Sequence, residues 1–439
     1  MVATQARTAE EAFWTLDPFE QVAPGHPFFA NLERHFADDQ YALVQPLIRR
    51  VAPPTAGVYR QVAVVGHRGA GKTTMVRSAM AKLAAGGKHR AAYIDVVGTL
   101  DISDFAFADV LMAVVNAAIS ALKEDGGDLP QQELELFTRW FADEERVETR
   151  DKVVDGAVEA SAAVSGGLLG FVKLTGRLTS QLRANTTYRQ QLRIRVDRDP
   201  RELLTRANQV LDAVSTALGK QLIIVFDNLE KVNDRAVVDR ALLQRADEVR
   251  SLRASAVLFL HPSDQYAPVK VRADDAFDVV TVPMLPVRRA DDPHDQVAPE
   301  ALLAVRELLE RRVQFDLVFE QPTEVVQLIA RYSGGRLRDA IELARLGCER
   351  ASARKVSVAM IERAARRMAG DRAGLLRLDD LPRLVDVAQR KRVPSDDTHG
   401  YLLLHSLILQ YNGQPWWDIH PLLRLDREVQ TALASAGLG

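Results

Sequence analysis

Gly66, Gly71, Lys72 and Thr73 occupy the fixed places of G-x-x-x-x-G-K-[ST] within the run GHRGAGKTT. That pattern is built to hold a nucleoside triphosphate. Its glycines let the backbone curl until successive N–H groups face a phosphate, so His67, Arg68, Gly69, Ala70 and Thr74 share the cradle. Lys72 would reach the β- and γ-phosphates, and the Thr73 hydroxyl would ligate Mg²⁺. The dinucleotide pattern G-x-G-x-x-G fails, because Gly66, Gly69 and Gly71 do not fall on its spacing. Asp227 is the second candidate, at the end of the apolar run Leu222 to Phe226. An aspartate at the tip of a buried strand downstream of a P-loop has the placement of a Walker-B residue, holding Mg²⁺ directly or through water.

These groups need a strand–loop–helix to hold them. Val62 to Val65 reads as the strand and Met75 to Ala84 as the helix, which puts the phosphates at a helix N-terminus. Further along, Ala91 to Val97, Leu222 to Phe226, SAVLFLHPSD from Ser255 and Phe277 to Val282 read as strands. Between them lie a helix to about Lys123 capped by Asp101 or Ser103, a helix from Pro200 ended by Gly219, and a helix from Asp234 to Ser251. Strands alternating with helices predict an α/β core, a three-layer and mainly parallel sheet with ligands at the strand C-termini.

The rest of the chain divides around this core. Residues 1–56 read as an N-terminal arm with helices, and 57–295 as the P-loop core. A helical insert at about 124–200 interrupts it, basic in its second half at Lys173, Arg177, Arg183, Arg189, Arg193, Arg195 and Arg198. Residues 296–371 are helical throughout and form a lid, and 372–439 carry two helices followed by ILQYN-GQ-PWWDIH. Asn412-Gly413 between β-prone runs is a hairpin signal, so this tail predicts a winged-helix-like module, with Trp416 and Trp417 as packing residues.

Composition narrows the setting. At 439 residues there is room for roughly two to four domains. A net charge of −2 gives no overall basic bias toward nucleic acid, although a local basic face is compatible with it. The single cysteine, Cys348, excludes an intramolecular disulfide and fits a reducing cytosol. The N-terminus MVATQARTAEEAFW lacks a signal pattern. The longest apolar stretch, Gly156 to Leu174, is broken by Glu159 and Lys173 and is no membrane span. The expectation is a cytoplasmic protein without an integral membrane segment.

GHRGAGKT, LIIVFDN and SGGRLRDAIELAR in a helical lid, in that order, resemble the AAA+/STAND superfamily of P-loop ATPases, in particular its initiator-like branch. The resemblance covers about Phe28 to Asp371. It implies ATP and Mg²⁺ as ligands, ATP hydrolysis, and assembly into a homo-oligomer or a complex with an effector protein. It also implies a sensor-2 arginine at the start of the lid helix, Arg338 with Arg336 as substitute, and a polar sensor-1 residue, His261 or Ser263. An arginine finger donated across a subunit interface would be Arg272, with Arg250 and Arg253 as rivals. One departure matters. The usual Walker B ends Asp-Glu, and here the second place is Asn228, which can orient water but not deprotonate it. Glu230 would then take over, or hydrolysis is slow and the protein works as an ATP-gated switch. Similar bacterial proteins often belong to defence or mobile-element systems, so the resemblance implies control of a partner protein in anti-phage defence. The alternatives are a DNA-binding initiator or transposition-type ATPase gripping duplex phosphates through the basic insert, Arg193 and Arg195 included, and the winged-helix-like tail, and a nucleotide-bound scaffold without turnover.

Overall fold

The computed structural model describes residues 4–37, 41–129, 200–266, 271–290, 296–349, 351, 354–411 and 416–438. The basic stretch with Arg193 and Arg195, nearly all of the predicted insert, and the Asn412-Gly413 turn lie outside the described residues.

The chain opens with α1 (Ala9–Thr15), started by a capping box in which Thr8 and Glu11 satisfy each other's backbone N–H. Helix α2 (Val44–Val51) then leads into strand β1 (Gln61–Val65), the P-loop, and α3 (Lys72–Ala85). Strand β2 (His89–Asp95) follows, then α4 (Phe107–Glu124) and, past the undescribed stretch, α5 (Pro200–Leu218). Strands β3 (Gln221–Asp227), β4 (Ser255–Leu260) and β5 (Asp278–Thr281) complete one parallel sheet of order β2-β3-β4-β1-β5. Thus β4 stands between the strand that feeds the P-loop and the strand that ends in Asp227.

Helix α2 packs with α3, α4 packs with α5, and β2 touches both α3 and α4, so helices cover both faces. That is why β1 and β4 are buried along their whole length and can be nearly all apolar. Each fully buried Val or Leu there contributes about 1.5–3 kcal/mol relative to exposure.

The lid comprises α6 (Pro299–Glu310), α7 (Pro322–Ser333), α8 (Leu337–Cys348) and α9 (Val358–Ala373). Helix α1 packs against α8, which fixes the N-terminal arm to the lid. The C-terminal module has α10 (Leu381–Arg390), α11 (Asp397–Leu404), the antiparallel hairpin β6 (Ile408–Tyr411) with β7 (Trp416–Ile419), and α12 (Arg427–Ser435). Two helices and a hairpin make it a winged-helix module, with its own apolar cluster around Leu384, Leu402, Ile408, Trp417 and Leu433. Trp416 and Trp417 are buried packing residues.

Two predicted boundaries move. Asp101 does not cap α4; it accepts from the Ser103 N–H and hydroxyl at 3.1 and 2.6 Å, while Asp109 reaches back to the Ala106 N–H at 2.7 Å and starts the helix at Phe107. The long helix expected from Asp234 is broken into Arg235–Val238, a π-helical turn Asp239–Leu243 and Ala246–Arg250, although Asp234 does cap it. The π turn widens the spacing that a periodicity argument assumes constant.

Candidate nucleotide site

The P-loop is shaped by its glycines. Gly69 and Gly71 hold φ of +83° and +98°, where a side chain is strained. A Cβ on Gly66 would lie 2.5 Å from the Val282 carbonyl, and one on Gly69 would lie 2.7 Å from Arg338 Cβ. The second contact brings the lid onto the loop: the Arg338 N–H donates to Gly69 O at 3.2 Å, and Arg336 Nε donates to Arg68 O at 2.8 Å.

Lys72 is buried and donates to the carbonyls of Gly66 (2.6 Å) and His67 (3.0 Å), with Glu230 Oε1 at 3.6 Å. Burial pulls its ammonium pKa down and Glu230 opposes that shift. Thr73 Oγ1 donates to Asp227 Oδ1 at 3.2 Å, so both expected Mg²⁺ ligands sit side by side. Burial and the nearby Glu230 raise the Asp227 carboxyl, the arrangement of an acid pair that a cation would relieve. Among the described residues no group of three or more His, Cys, Asp or Glu could hold a metal by itself. Mg²⁺ needs no such cage, since it is usually held by one or two side chains, waters and phosphates.

Asn228 and Glu230 divide the space beyond Asp227. Asn228 is left-handed (φ 66°), and its amide donates to Asp95 Oδ1 at 2.7 Å. Glu230 is buried with Oε2 unpartnered, while its backbone carbonyl accepts from Arg68 Nε and Nη2 at 3.1 and 2.9 Å. A buried carboxylate oxygen lacking a donor is ready for a water.

Arg338 lines the same cavity, with its Cζ 5.2 Å from the Phe19 ring centroid and Nε unpartnered. Arg336 instead pairs with Asp339 at 2.5 Å. His261 and Ser263 bond each other at 3.0 Å; both are buried, and the His261 ring stands edge-on to His67 at 5.4 Å. His67 in turn meets Trp417 of β7 at 6.4 Å. Burial first, then nearby cations (Arg336 and Lys72 at His67), hold both imidazoles well below their usual pKa and neutral; at His261 the His67 ring also contributes. The three finger candidates are all at least half-exposed or nearly so and internally paired: Arg272 with Asp274, Arg250 with Asp247, Arg253 with Asp212.

Three features escaped the sequence reading. Asp95 is directly opposite Asp227 in the β2–β3 register and braces Asn228. Its signal was available, since AAYIDVV also ends an apolar strand in aspartate. The N-terminal arm closes the cavity through Phe19, Val22, Phe28 and Tyr41, anchored where Thr74 Oγ1 donates to Val22 O (3.1 Å) and Arg77 to Gln21 (2.7 Å). Arg312, just past α6, is a buried cation in the wall of that cavity. The cavity measures about 260 Å³, and loop glycines, Lys72, the Thr73–Asp227 pair and the apolar side chains of the arm together fit a nucleotide.

No family model matches the sequence, and no curated protein is detectably similar to it. Among solved structures the chain is similar to the Aeropyrum pernix ORC2 protein in ADPNP–ADP complexes (12% identity, 94% of this chain and 98% of that chain, TM-score 0.42). It is also similar to a Walker-type ATPase of Pyrococcus abyssi (12%, 96% and 99%, TM-score 0.45) and to the Aeropyrum pernix ORC1 protein in complex with DNA (14%, 97% and 97%, TM-score 0.41). A P-loop after β1, β4 standing between that strand and the strand of Asp227, a helical lid and a C-terminal module of helices and a hairpin give the chain a three-layer parallel α/β fold of the P-loop kind.

Proposed function

We propose that this protein is an Mg²⁺-dependent ATPase of slow tempo that acts as a nucleotide-gated switch, with the lid and winged-helix module as its output to a partner. The observation that carries the reading is convergence: from three separate segments, Lys72 and Thr73 of the P-loop, Glu230 just past β3 and Arg338 of the lid line one cavity, and Asp227 at the end of β3 is bonded to Thr73. Lys72 and the loop N–H groups would hold the phosphates, and Thr73 with Asp227 would hold Mg²⁺, which supplies charge neutralisation at the phosphoryl oxygens. Glu230 takes the proton of an attacking water, and Arg338 answers charge on the terminal phosphate. Asn228 lacks the basicity for that proton, which supports a switch over a fast motor.

Equilibrium binding of a fluorescent ATP analogue, followed by phosphate release, tests this. Wild type should bind and turn over slowly, and Lys72→Ala should lose both by a hundredfold or so, the scale of a lost phosphate-stabilising group. Turnover unchanged by Lys72→Ala would sink the reading.

A further inference from the structure

The turn that carries Glu230 has few bonds of its own. Past β3 the chain is left-handed at Asn228 (φ 66°) and makes the 3-10 turn Leu229–Lys231, closed by Lys231 N–H to Asn228 O at 2.9 Å and Val232 N–H to Leu229 O at 3.3 Å. The Glu230 carboxylate is loosely fixed as well: Oε1 stands 3.6 Å from Lys72 Nζ, and Oε2 has no partner. Its direction therefore depends on how the backbone beneath it is held.

Two guanidiniums hold that backbone. Arg68 of the P-loop donates to Glu230 O from Nε and Nη2, and from Nη2 to Asn233 Oδ1 at 3.0 Å. Arg235 donates from Nη1 to Leu229 O at 3.2 Å and Val232 O at 2.9 Å. The other edge of Arg235 faces Asp264, with Nε donating to Oδ1 at 2.7 Å and Nη2 to Oδ2. Asp264 lies just past β4, the strand beside β3, and its Oδ2 also accepts the His261 N–H at 2.8 Å. The Arg235 and Asp264 side chains are 10% and 1% exposed, and neither residue lines the nucleotide cavity. Taking such a pair out of water costs about as much as its attraction returns, so net stability does not account for it.

Resting on the nucleotide-site reading above, we propose that Arg235, braced by Asp264, is a positioning residue for hydrolysis. It registers the Glu230 turn against the end of β4 and so aims the Glu230 carboxylate at the attacking water. Both members of the pair act through Glu230, since neither lines the phosphate cradle. Lysine cannot replace the arginine, because one ammonium cannot span a carboxylate and two carbonyls on two edges. A displacement of about 1 Å at a reacting group costs on the order of a hundredfold in rate.

Binding of a fluorescent ATP analogue and single-turnover phosphate release, both with Mg²⁺ on the full chain, test this in Arg235→Lys, in Asp264→Asn, and in each combined with Glu230→Gln. The single variants should bind within about threefold of wild type and release phosphate about thirtyfold to a hundredfold more slowly. A merely structural role would not give the next result. In the Glu230→Gln background either change should slow release by less than about threefold further, because no base remains to be aimed. Release within about threefold of wild type in folded Arg235→Lys and Asp264→Asn, losses that multiply in full with that of Glu230→Gln, or loss of binding and turnover together would overturn the assignment. Wild type that binds no nucleotide fells the site reading and this one with it. Slow release in Glu230→Gln beside wild-type release in Arg235→Lys removes only the role of Arg235.

Discussion

Asp339 on the lid helix accepts a hydrogen bond from His420 Nε2 of the winged-helix module at 2.9 Å, with both side chains buried. His420 Nδ1 accepts the Leu422 N–H at 3.2 Å, so the proton sits on Nε2 and the imidazole is neutral. The same carboxylate takes Arg372 at 2.7 Å and Arg336 at 2.5 Å, and Arg336 reaches on to the Arg68 carbonyl of the P-loop. Burial alone would raise the Asp339 carboxyl, but Arg336 and Arg372 outweigh it and hold it well below the carboxylate range. One ionised side chain thereby ties lid to wing directly and, through Arg336, to the P-loop.

Asp339→Asn keeps the shape and removes the charge that two buried guanidiniums face. Breaking a buried ionic cluster from one side costs about 3–5 kcal/mol. Urea denaturation should show that loss, and a change below about 1 kcal/mol would mean the cluster is not the joint described.

His420 sets a pH dependence. Burial and Arg372 push its pKa down to about 3, against Asp339, which pulls it up. Its unfolded value is about 6.5, so between those limits the unfolded chain binds a proton that the folded chain refuses. Stability is complete above about pH 6.5 and falls as pH drops, by up to about 1.4 kcal/mol per unit for this histidine. His67 and His261 add to the same slope, because both are also held neutral. His420→Gln, which can still donate to Asp339, should flatten the slope of stability between pH 6 and 4 while leaving that at pH 7.5 to 8.5 unchanged. An unaltered slope would place the titration elsewhere.

Much of this site was readable from one chain because phosphate chemistry fixes residue types at fixed spacing. Gly66 to Thr74 and the Asp227 strand end carry their own geometry. The lid was legible for a related reason: SGGR turns sharply, with Gly334 and Gly335 at φ +58° and +79° and a Cβ on Gly335 overlapping the Leu285 carbonyl. What stayed hidden depends on contacts distant in sequence. Arg312 looks like any arginine after an amphipathic helix until the arm folds Phe28 beneath it. His420 sits in a hairpin exit with no motif, and its partner is 81 residues away. Arg336 and Arg338 both stand at the lid start, and only the packing separates them.

That separation can be measured. Arg336 bridges Arg68 and Asp339, so Arg336→Ala should destabilise the fold by about 1.5–3 kcal/mol, the scale of charged hydrogen bonds. Arg338 makes no ion pair among the described residues and faces the cavity. Arg338→Ala should leave the urea midpoint nearly unmoved, since it breaks no such pair, yet lower turnover by about a thousandfold if it answers phosphate charge. The reverse pattern would exchange their roles.

Glu230 and Asn228 pose the remaining choice, which concerns the tempo of hydrolysis. Glu230 stands 3.6 Å from Lys72 Nζ with a free buried oxygen, whereas the Asn228 amide is committed to Asp95. A general base contributes about a hundredfold to ten-thousandfold. Glu230→Gln should therefore cut single-turnover phosphate release by at least a hundredfold with nucleotide affinity within a few-fold. Asn228→Gly, which keeps the left-handed backbone at no strain, should cost less than about tenfold. The two variants exchange predictions if Asn228 is the residue that positions the water, so a large loss in Asn228→Gly with a small one in Glu230→Gln would move the water to Asn228 and leave Glu230 as a counter-ion for Lys72.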